Sequence, residues 1–343
     1  MAVVSLRALA LRRFLTLPSP LLRLASGGLA VYRGGRTLDP RLQVLAGGGL
    51  SLAEMSPADA RQAIARRRRL LPHRPISGVT AEAVSASGPV PALRIYRPSA
   101  QDPKAPMLVF AHGGGGVLGD LDASDGLCRI LAQGLRAPVV SVEYRLAPEC
   151  RFPAGFEDFM AACLWANDAA PAYGAPAGEI MVGGEGIGGT FAAALCQALK
   201  DAGKPQPTLQ ILLYPWIDLS SETPSMTTYA DAFPLSRTTL TWLAGHYLGP
   251  QDDPGDSRVS PLRTTELCGL APAVVATAGF DPLVDQGEAY AKALEAAGTP
   301  VTYRSYDSLT HGFAAFAGAV PAAEAACREI AVLGRVALEA RIS

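Results

Sequence analysis

The sequence predicts an α/β fold, a mostly parallel central sheet with helices packed on both faces. Two observations carry that prediction. From Met107 onward, short apolar runs alternate with longer helical stretches, the rhythm of βα units. At residues 180–194 a buried strand passes through a glycine-rich turn directly into an Ala-rich helix, as Ile180-Met181-Val182-Gly183-Gly184-Glu185-Gly186-Ile187-Gly188-Gly189-Thr190-Phe191-Ala192-Ala193-Ala194. The length, 343 residues, suits one large domain of this class with insertions, and a composition 49% hydrophobic and 18% charged fits a sizeable core and excludes global disorder.

Taken in order, the chain opens without an acidic residue until Asp39, with Arg7, Arg12, Arg13, Arg23, Arg33 and Arg36 set among Leu, Val and Ala. Such a leader reads as a targeting presequence, as an amphipathic segment in peripheral contact with a membrane surface, or as an ordered extension packed on the domain. The last is the expectation and membrane contact the alternative. Pro18 and Pro20 interrupt the segment, and no uncharged run is long enough to span a bilayer. Ser56-Pro57-Ala58-Asp59 starts a helix, with an N-cap serine, proline in the first turn and an acid to meet the dipole. Arg66, Arg67, Arg68 and Arg69 close it, where cations complement the helix C-terminus. Residues 79–85 and 92–96 form an antiparallel hairpin at a sheet edge. Strands follow at 107–111, 138–142, 179–182, 209–213, 273–278 and 301–305. Helices fall at 124–135, 156–167, 187–201, 236–247, 285–297 and 322–338. The interval from Trp216 to about Ser260 is polar and off this rhythm, an insertion over the carboxyl edge of the sheet.

Thirty basic against thirty-one acidic residues leave a net charge of −1, which gives no support to a nucleic-acid partner. The six cysteines (Cys128, Cys150, Cys163, Cys196, Cys268 and Cys327) include no C-x-x-C pair, as expected of reduced thiols in a cytoplasmic protein. None of the four histidines stands at ligand spacing to a cysteine pair, so no metal is expected.

The chemistry gathers where parallel strands end. Strand 107–111 runs into His112-Gly113-Gly114-Gly115-Gly116, strand 179–182 into the turn Gly184-Glu185-Gly186-Ile187-Gly188, strand 273–278 into Gly279-Phe280-Asp281, and the last strand into Leu309-Thr310-His311-Gly312-Phe313. The turn has the form of a nucleophile elbow, whose outer glycines avoid the neighbouring strand and helix and whose middle residue is a serine raised above the sheet. Here the middle residue is Gly186. The order turn, aspartate, histidine is that of an α/β-hydrolase triad, and a run of glycines offers bare N–H groups to an oxyanion.

These motifs resemble the hormone-sensitive-lipase family of bacterial carboxylesterases. The resemblance rests on His112-Gly113-Gly114-Gly115, Tyr144-Arg145-Leu146-Ala147-Pro148-Glu149 followed by Phe152-Pro153-Ala154, and Gly184-Glu185-Gly186-Ile187-Gly188-Gly189. It extends through Tyr214-Pro215, Ser260-Pro261-Leu262, Gly279-Phe280-Asp281-Pro282-Leu283 and His311-Gly312-Phe313, and covers the chain from about Asp39. It implies an α/β-hydrolase fold with a helical cap: residues 1–70 as extension and cap helices, 71–215 and 260–343 as catalytic core, 216–259 as cap insertion. It implies serine-esterase chemistry on short to medium acyl esters without cofactor, and pairing as a homodimer through the last strand and helix. Asp281 is then the triad acid and His311 the base. The oxyanion donors are N–H groups of Gly113 and Gly114 or Gly115, with that of Ile187. The sequence departs from the family at Gly186 in place of serine, at Glu185 in place of aspartate, and at Gly116, where an aromatic residue is usual and whose absence widens the pocket.

Other residues carry milder expectations. His112 orients the glycine loop by hydrogen bonding. Asp285 is a first-turn acid of its helix. His246 and His73 belong to the surface or cap. Arg145 and Glu149 form a structural ion pair or turn clamp. Trp216, Phe233, Leu283 and Phe313 line an acyl pocket, or the aromatics are plain core. Gly186 itself has three readings: a nucleophile removed by substitution from an esterase, a natural ligand-binding pseudoenzyme, or a site served by another nucleophile, Ser124 or Ser141. Amidase or peptidase activity on the same triad stays open.

Overall fold

The computed structural model describes residues 6–71 and 76–342; His73 lies outside them. Two short helices, α1 (Leu6–Leu15) and α2 (Ser19–Ala25), precede a two-residue hairpin, β1 (Tyr32–Arg33) and β2 (Arg36–Thr37). Next come α3 (Pro40–Ala46) and α4 (Pro57–Arg68). Ser56 caps α4, its hydroxyl accepting from the Asp59 N–H at 3.2 Å. The expected edge hairpin is β3 (Val79–Val84) with β4 (Leu93–Pro98), antiparallel.

The βα rhythm then runs β5 (Met107–Ala111), α5 (Asp125–Leu135), β6 (Val139–Val142), α6 (Ala154–Ala169), β7 (Ile180–Glu185), α7 (Ile187–Asp201) and β8 (Gln210–Leu213). The interval after β8 carries α8 (Pro224–Thr228) and α9 (Arg237–Tyr247). The chain closes with β9 (Ala273–Phe280), α10 (Val284–Ala296), β10 (Val301–Thr310) and α11 (Pro321–Ile342). These strands form one eight-stranded sheet in the order β10-β9-β8-β7-β5-β6-β4-β3. It is parallel from β10 to β6 and antiparallel at the hairpin edge.

Strand alternation divides the core in two. On β5, Met107, Val109 and Ala111 face the cluster built with α6, α7 and α10, while Leu108 and Phe110 face the one built with α5 and α11. β5 is buried at every residue, as a strand covered on both sides must be. Three strands run further than the sequence pattern indicated. β7 continues through Gly183 and Gly184 to Glu185, β9 to Phe280 and β10 to Thr310, so the candidate residues Gly186, Asp281 and His311 each follow a strand end directly. Apolar counting ended β7 too early because glycines carry no hydrophobic signal.

The ordered-extension expectation holds for residues 6–38. Ala8, Leu15 and Leu22 are fully buried, and the Arg41 guanidinium donates to the Leu15 carbonyl at 2.9 Å.

One ionic expectation is corrected and another extended. Arg145 and Glu149 do not pair. Arg145 binds Asp158 on α6, which accepts from both its backbone N–H (2.8 Å) and its Nε (2.9 Å). Glu149 instead takes a two-pronged contact from Arg61 on α4, at 2.8 Å to each oxygen. The arginines ending α4 also do more than meet its dipole. Arg67 donates to the carbonyls of Leu45 and Gly48, and Arg68 grips Asp120 at 2.7 Å. An arginine reaches far enough to choose a tertiary partner over a near neighbour, so proximity in sequence misled.

The two pairs differ in burial, and so should their energetic weight. Asp158 is 8% exposed and satisfies a backbone N–H, whereas Glu149 is 60% exposed. We expect Asp158→Ala to cost about 1–3 kcal/mol, because it orphans a donor. Glu149→Ala should cost less than about 1 kcal/mol, because solvent screens the pair. Urea denaturation of the two variants measures the difference, and equal losses would contradict the assignment.

Candidate active site

Gly186 sits between β7 and α7 with φ 53° and ψ −116°, a backbone conformation that side chains rarely adopt. Its neighbours allow no alternative. A Cβ on Gly184 would meet the Ala111 carbonyl oxygen at 2.7 Å, and one on Gly188 would meet the His112 carbonyl oxygen at 2.9 Å. Both positions must therefore be glycine for β5, β7 and α7 to pack this closely. Gly186 is different: a Cβ built there clashes with nothing and meets only His311 at ordinary contact distance, 3.5 Å from Nε2. The position has room for a side chain and a direction for it.

His311 follows β10 and is partly open to the cavity, its side chain 16% exposed. Its Nδ1 lies 2.8 Å from Oδ2 of Asp281, which is buried at the end of β9. The other carboxylate oxygen accepts the Leu283 N–H at 2.8 Å. A carboxylate on Nδ1 places the ring proton there and leaves the Nε2 lone pair facing Gly186. The Tyr214 ring packs edge-on against the imidazole, centroids 4.9 Å apart, and its hydroxyl donates to the buried carboxyl of Glu185. Burial raises the Glu185 carboxyl above its ordinary range, opposed by the Tyr214 hydrogen bond.

The glycine loop after β5 lies across the turn. Gly114, Gly115 and Gly116 all have positive φ (114°, 63° and 73°). The Gly114 carbonyl accepts from the Val117 and Leu118 N–H groups, at 3.1 and 2.9 Å, and the Gly116 carbonyl from the Ala147 N–H at 2.8 Å. His112 is 1% exposed, with Nδ1 2.7 Å from the Gly113 carbonyl and its ring stacked on Tyr144. The Tyr144 hydroxyl donates to the His112 carbonyl at 2.9 Å. The expectation that His112 orients the loop fits this geometry. Burial pushes its imidazole down to about 4, so it is neutral at ordinary pH. Ile187 is the first residue of α7, and its N–H has no acceptor within the helix.

A cavity of about 300 Å³ opens over Gly186 and His311. Of the five residues expected to line it, Trp216, Phe233 and Leu283 do. Gly116 and Phe313 do not. The space beside Gly116 is filled by the Tyr247 ring, so no pocket widening results. Phe313 is fully buried beneath the site against Tyr214 and Tyr306. Sequence reasoning missed the other walls: Leu50, Leu52 and Ile64 from the N-terminal side, and Leu235, Leu240 and Leu243 from the segment around α9. On α9 a signal was present, since Leu240, Leu243 and Tyr247 repeat at helical spacing as one buried face. Ser124 and Ser141, the alternative nucleophiles, are buried 3.4 Å from each other and outside the cavity wall. Asp285 caps α8, accepting from the Ser225 N–H at 2.8 Å, and His246 faces the Trp242 carbonyl within α9.

The family model for the α/β-hydrolase fold matches residues 108–315. A carboxylic ester hydrolase of Mycobacterium tuberculosis, LipN, is 42% identical over 314 residues, which span 87% of this chain and 82% of that protein. The esterase LipI of the same organism is 39% identical over 83% of this chain and 91% of its own. Among solved structures, a serine-to-alanine mutant of LAE6, an α/β-hydrolase enzyme from the metagenome of Lake Arreo, Spain, superimposes with a TM-score of 0.79. It has 34% identity and covers 96% of this chain and 100% of its own.

The buried histidine yields an expected pH dependence. His112 is held near 4 in the fold against about 6.5 when unfolded, so between those values the unfolded chain binds the extra proton. Stability therefore falls as pH drops through that window, and the part lost between pH 7 and pH 5 is about 2 kcal/mol. We expect His112→Asn to be less stable at pH 7 yet to show a smaller further loss at pH 5. Urea midpoints at both pH values check this, and an unchanged pH sensitivity would refute it.

Proposed function

We propose the following reading on the premise that this chain belongs to the α/β-hydrolase fold family, in its hormone-sensitive-lipase-like branch. It is a carboxylic ester hydrolase scaffold for short to medium acyl esters, and Gly186 stands where the reaction needs a nucleophile. One observation carries the reading: the Cβ direction at Gly186 aims at Nε2 of a histidine already paired with a buried aspartate.

With serine at 186, the hydroxyl attacks the ester carbonyl while His311 Nε2 takes its proton, and Asp281 stabilises the imidazolium. The carbonyl oxygen becomes an oxyanion, held by N–H groups of the Gly113–Gly115 loop and of Ile187. His311 then returns the proton to the departing alcohol, leaving an acyl-serine that water hydrolyses by the same path. α4, the turn before it and α9 act as the cap, and their leucines offer the acyl chain an apolar wall. As it stands, the chain lacks the attacking atom, so hydrolysis is absent or reduced to what a water activated by His311 supplies. Gly186 itself favours a second reading, a ligand-binding pseudoenzyme. Against it stands the intact Asp281–His311 pair, which a binding protein has no need to hold.

We expect Gly186→Ser to raise hydrolysis of p-nitrophenyl acetate and p-nitrophenyl hexanoate by on the order of 10⁵- to 10⁶-fold, the usual worth of a triad nucleophile. Adding His311→Ala should abolish the gain. Should the serine form fold normally and hydrolyse nothing, the ligand-binding reading takes over.

A further inference from the structure

The extension at residues 6–38 presents a surface that the reaction does not use. Among the described residues, ten large apolar side chains are exposed, and seven of them fall between residues 6 and 32: Leu6, Leu9, Phe14, Leu21, Leu24, Leu29 and Tyr32. They are not marginal, with Leu6 85% exposed, Leu24 72% and Leu29 80%.

The helices have two faces. On α1, Ala8 and Leu15 are buried and Leu11 and Arg12 half-buried, one side by the 3.6-residue repeat. Leu6, Leu9, Ala10 and Arg13 take the opposite side. On α2, Leu22 is buried while Leu21 and Leu24 point out. The inner faces thus account for packing on the domain, and the outer faces are left both apolar and cationic. No acidic residue precedes Asp39. Arg33 and Arg36 are engaged with Asp231 and Asp307, whereas none of the ion pairs among the described residues involves Arg7 or Arg13, both of them exposed.

We propose that the outer face of residues 6–32 binds an anionic lipid surface, lying in the plane of the interface with its leucines and Phe14 among the acyl chains and Arg7 and Arg13 at the phosphates. Two features select this occupant. A basic, apolar, acid-free helical face is the composition of interfacial helices. A second copy of the chain would bring like charges together at the centre of the contact. Among the described residues no helix is long and apolar enough to cross a membrane, so the contact is peripheral.

The test is flotation of the full chain with vesicles of phosphatidylcholine alone or mixed with phosphatidylglycerol, at low and high salt. The expected result is binding to the anionic vesicles that weakens with salt. Each surface arginine is worth about fivefold in affinity, so Arg7→Gln and Arg13→Gln together should lose about 25-fold. Leu6→Ser, Leu9→Ser and Leu24→Ser together should also release the protein. Melting temperatures within about 2 °C of the parent show that these exposed changes leave the fold alone. Absence of binding to either vesicle, or equal binding to both, would overturn the proposal. So would sedimentation as a dimer that the leucine changes dissociate.

Discussion

Everything at the site depends on how closely β5, β7 and the start of α7 approach one another. With hydrogen at the α-carbons of Gly184 and Gly188, backbone oxygens of Ala111 and His112 lie where side-chain carbons would otherwise be. That contact forces the chain to reverse within one residue. It fixes the unusual dihedrals of Gly186 and starts α7 at Ile187, whose N–H has no acceptor within the helix, while those of Gly189 and Thr190 return to the Gly186 carbonyl. The dipole of a fifteen-residue helix then favours negative charge at this end. Backbone packing, rather than any single polar side chain, thus creates both the sharp turn at Gly186 and the helix end beside it.

Across this turn lies the glycine loop, and a loop of consecutive glycines has no rigidity of its own. Its order comes from outside. Tyr144 holds the His112 carbonyl, Ala147 holds that of Gly116, and Arg61 on α4 reaches the carbonyls of Val117 and Ala147 at 2.8 and 2.6 Å. From above, Leu243 and Tyr247 of α9 occupy the space that side chains on Gly115 and Gly116 would take. The segments that wall the cavity therefore also clamp the loop beneath it. The shape of the cavity and the order of the glycine loop share the same contacts, so substitutions on α4 or α9 are expected to touch both at once.

What the sequence disclosed follows from the range of each interaction. Strand and helix periodicity is local, and the βα order came through with small errors, chiefly where glycines ended an apolar run early. Asp281 and His311 were legible because parallel sheets collect strand ends on one edge, so order along the chain becomes proximity in space. Lateral partners were not legible. Arg145 and Glu149 stand four apart and read as a pair, yet each has a better-placed partner on another helix. Gly116 was taken as empty volume because nothing in sequence says that Tyr247, over a hundred positions on, fills it. Phe313 stood between pocket and core, and after the turn at Gly312, with φ 67°, it lies in the core, buried against Tyr214 and Tyr306.

The remaining question is why the arrangement persists around a glycine. Each part is held by contacts that make no reference to position 186. Asp281 is fixed by the Leu283 N–H and by burial, His311 by Asp281 and the Tyr214 ring, and Tyr214 in turn by Glu185. None of these contacts would be lost or gained by exchanging a hydrogen for a hydroxymethyl group at Gly186. Glycine also adopts φ 53° and ψ −116° without the strain a side chain carries there, so the exchange to glycine removes a cost rather than adding one. Folding and pair geometry are thereby separable from the side chain at position 186, and the Asp281–His311 contact with its supporting packing stands with glycine there.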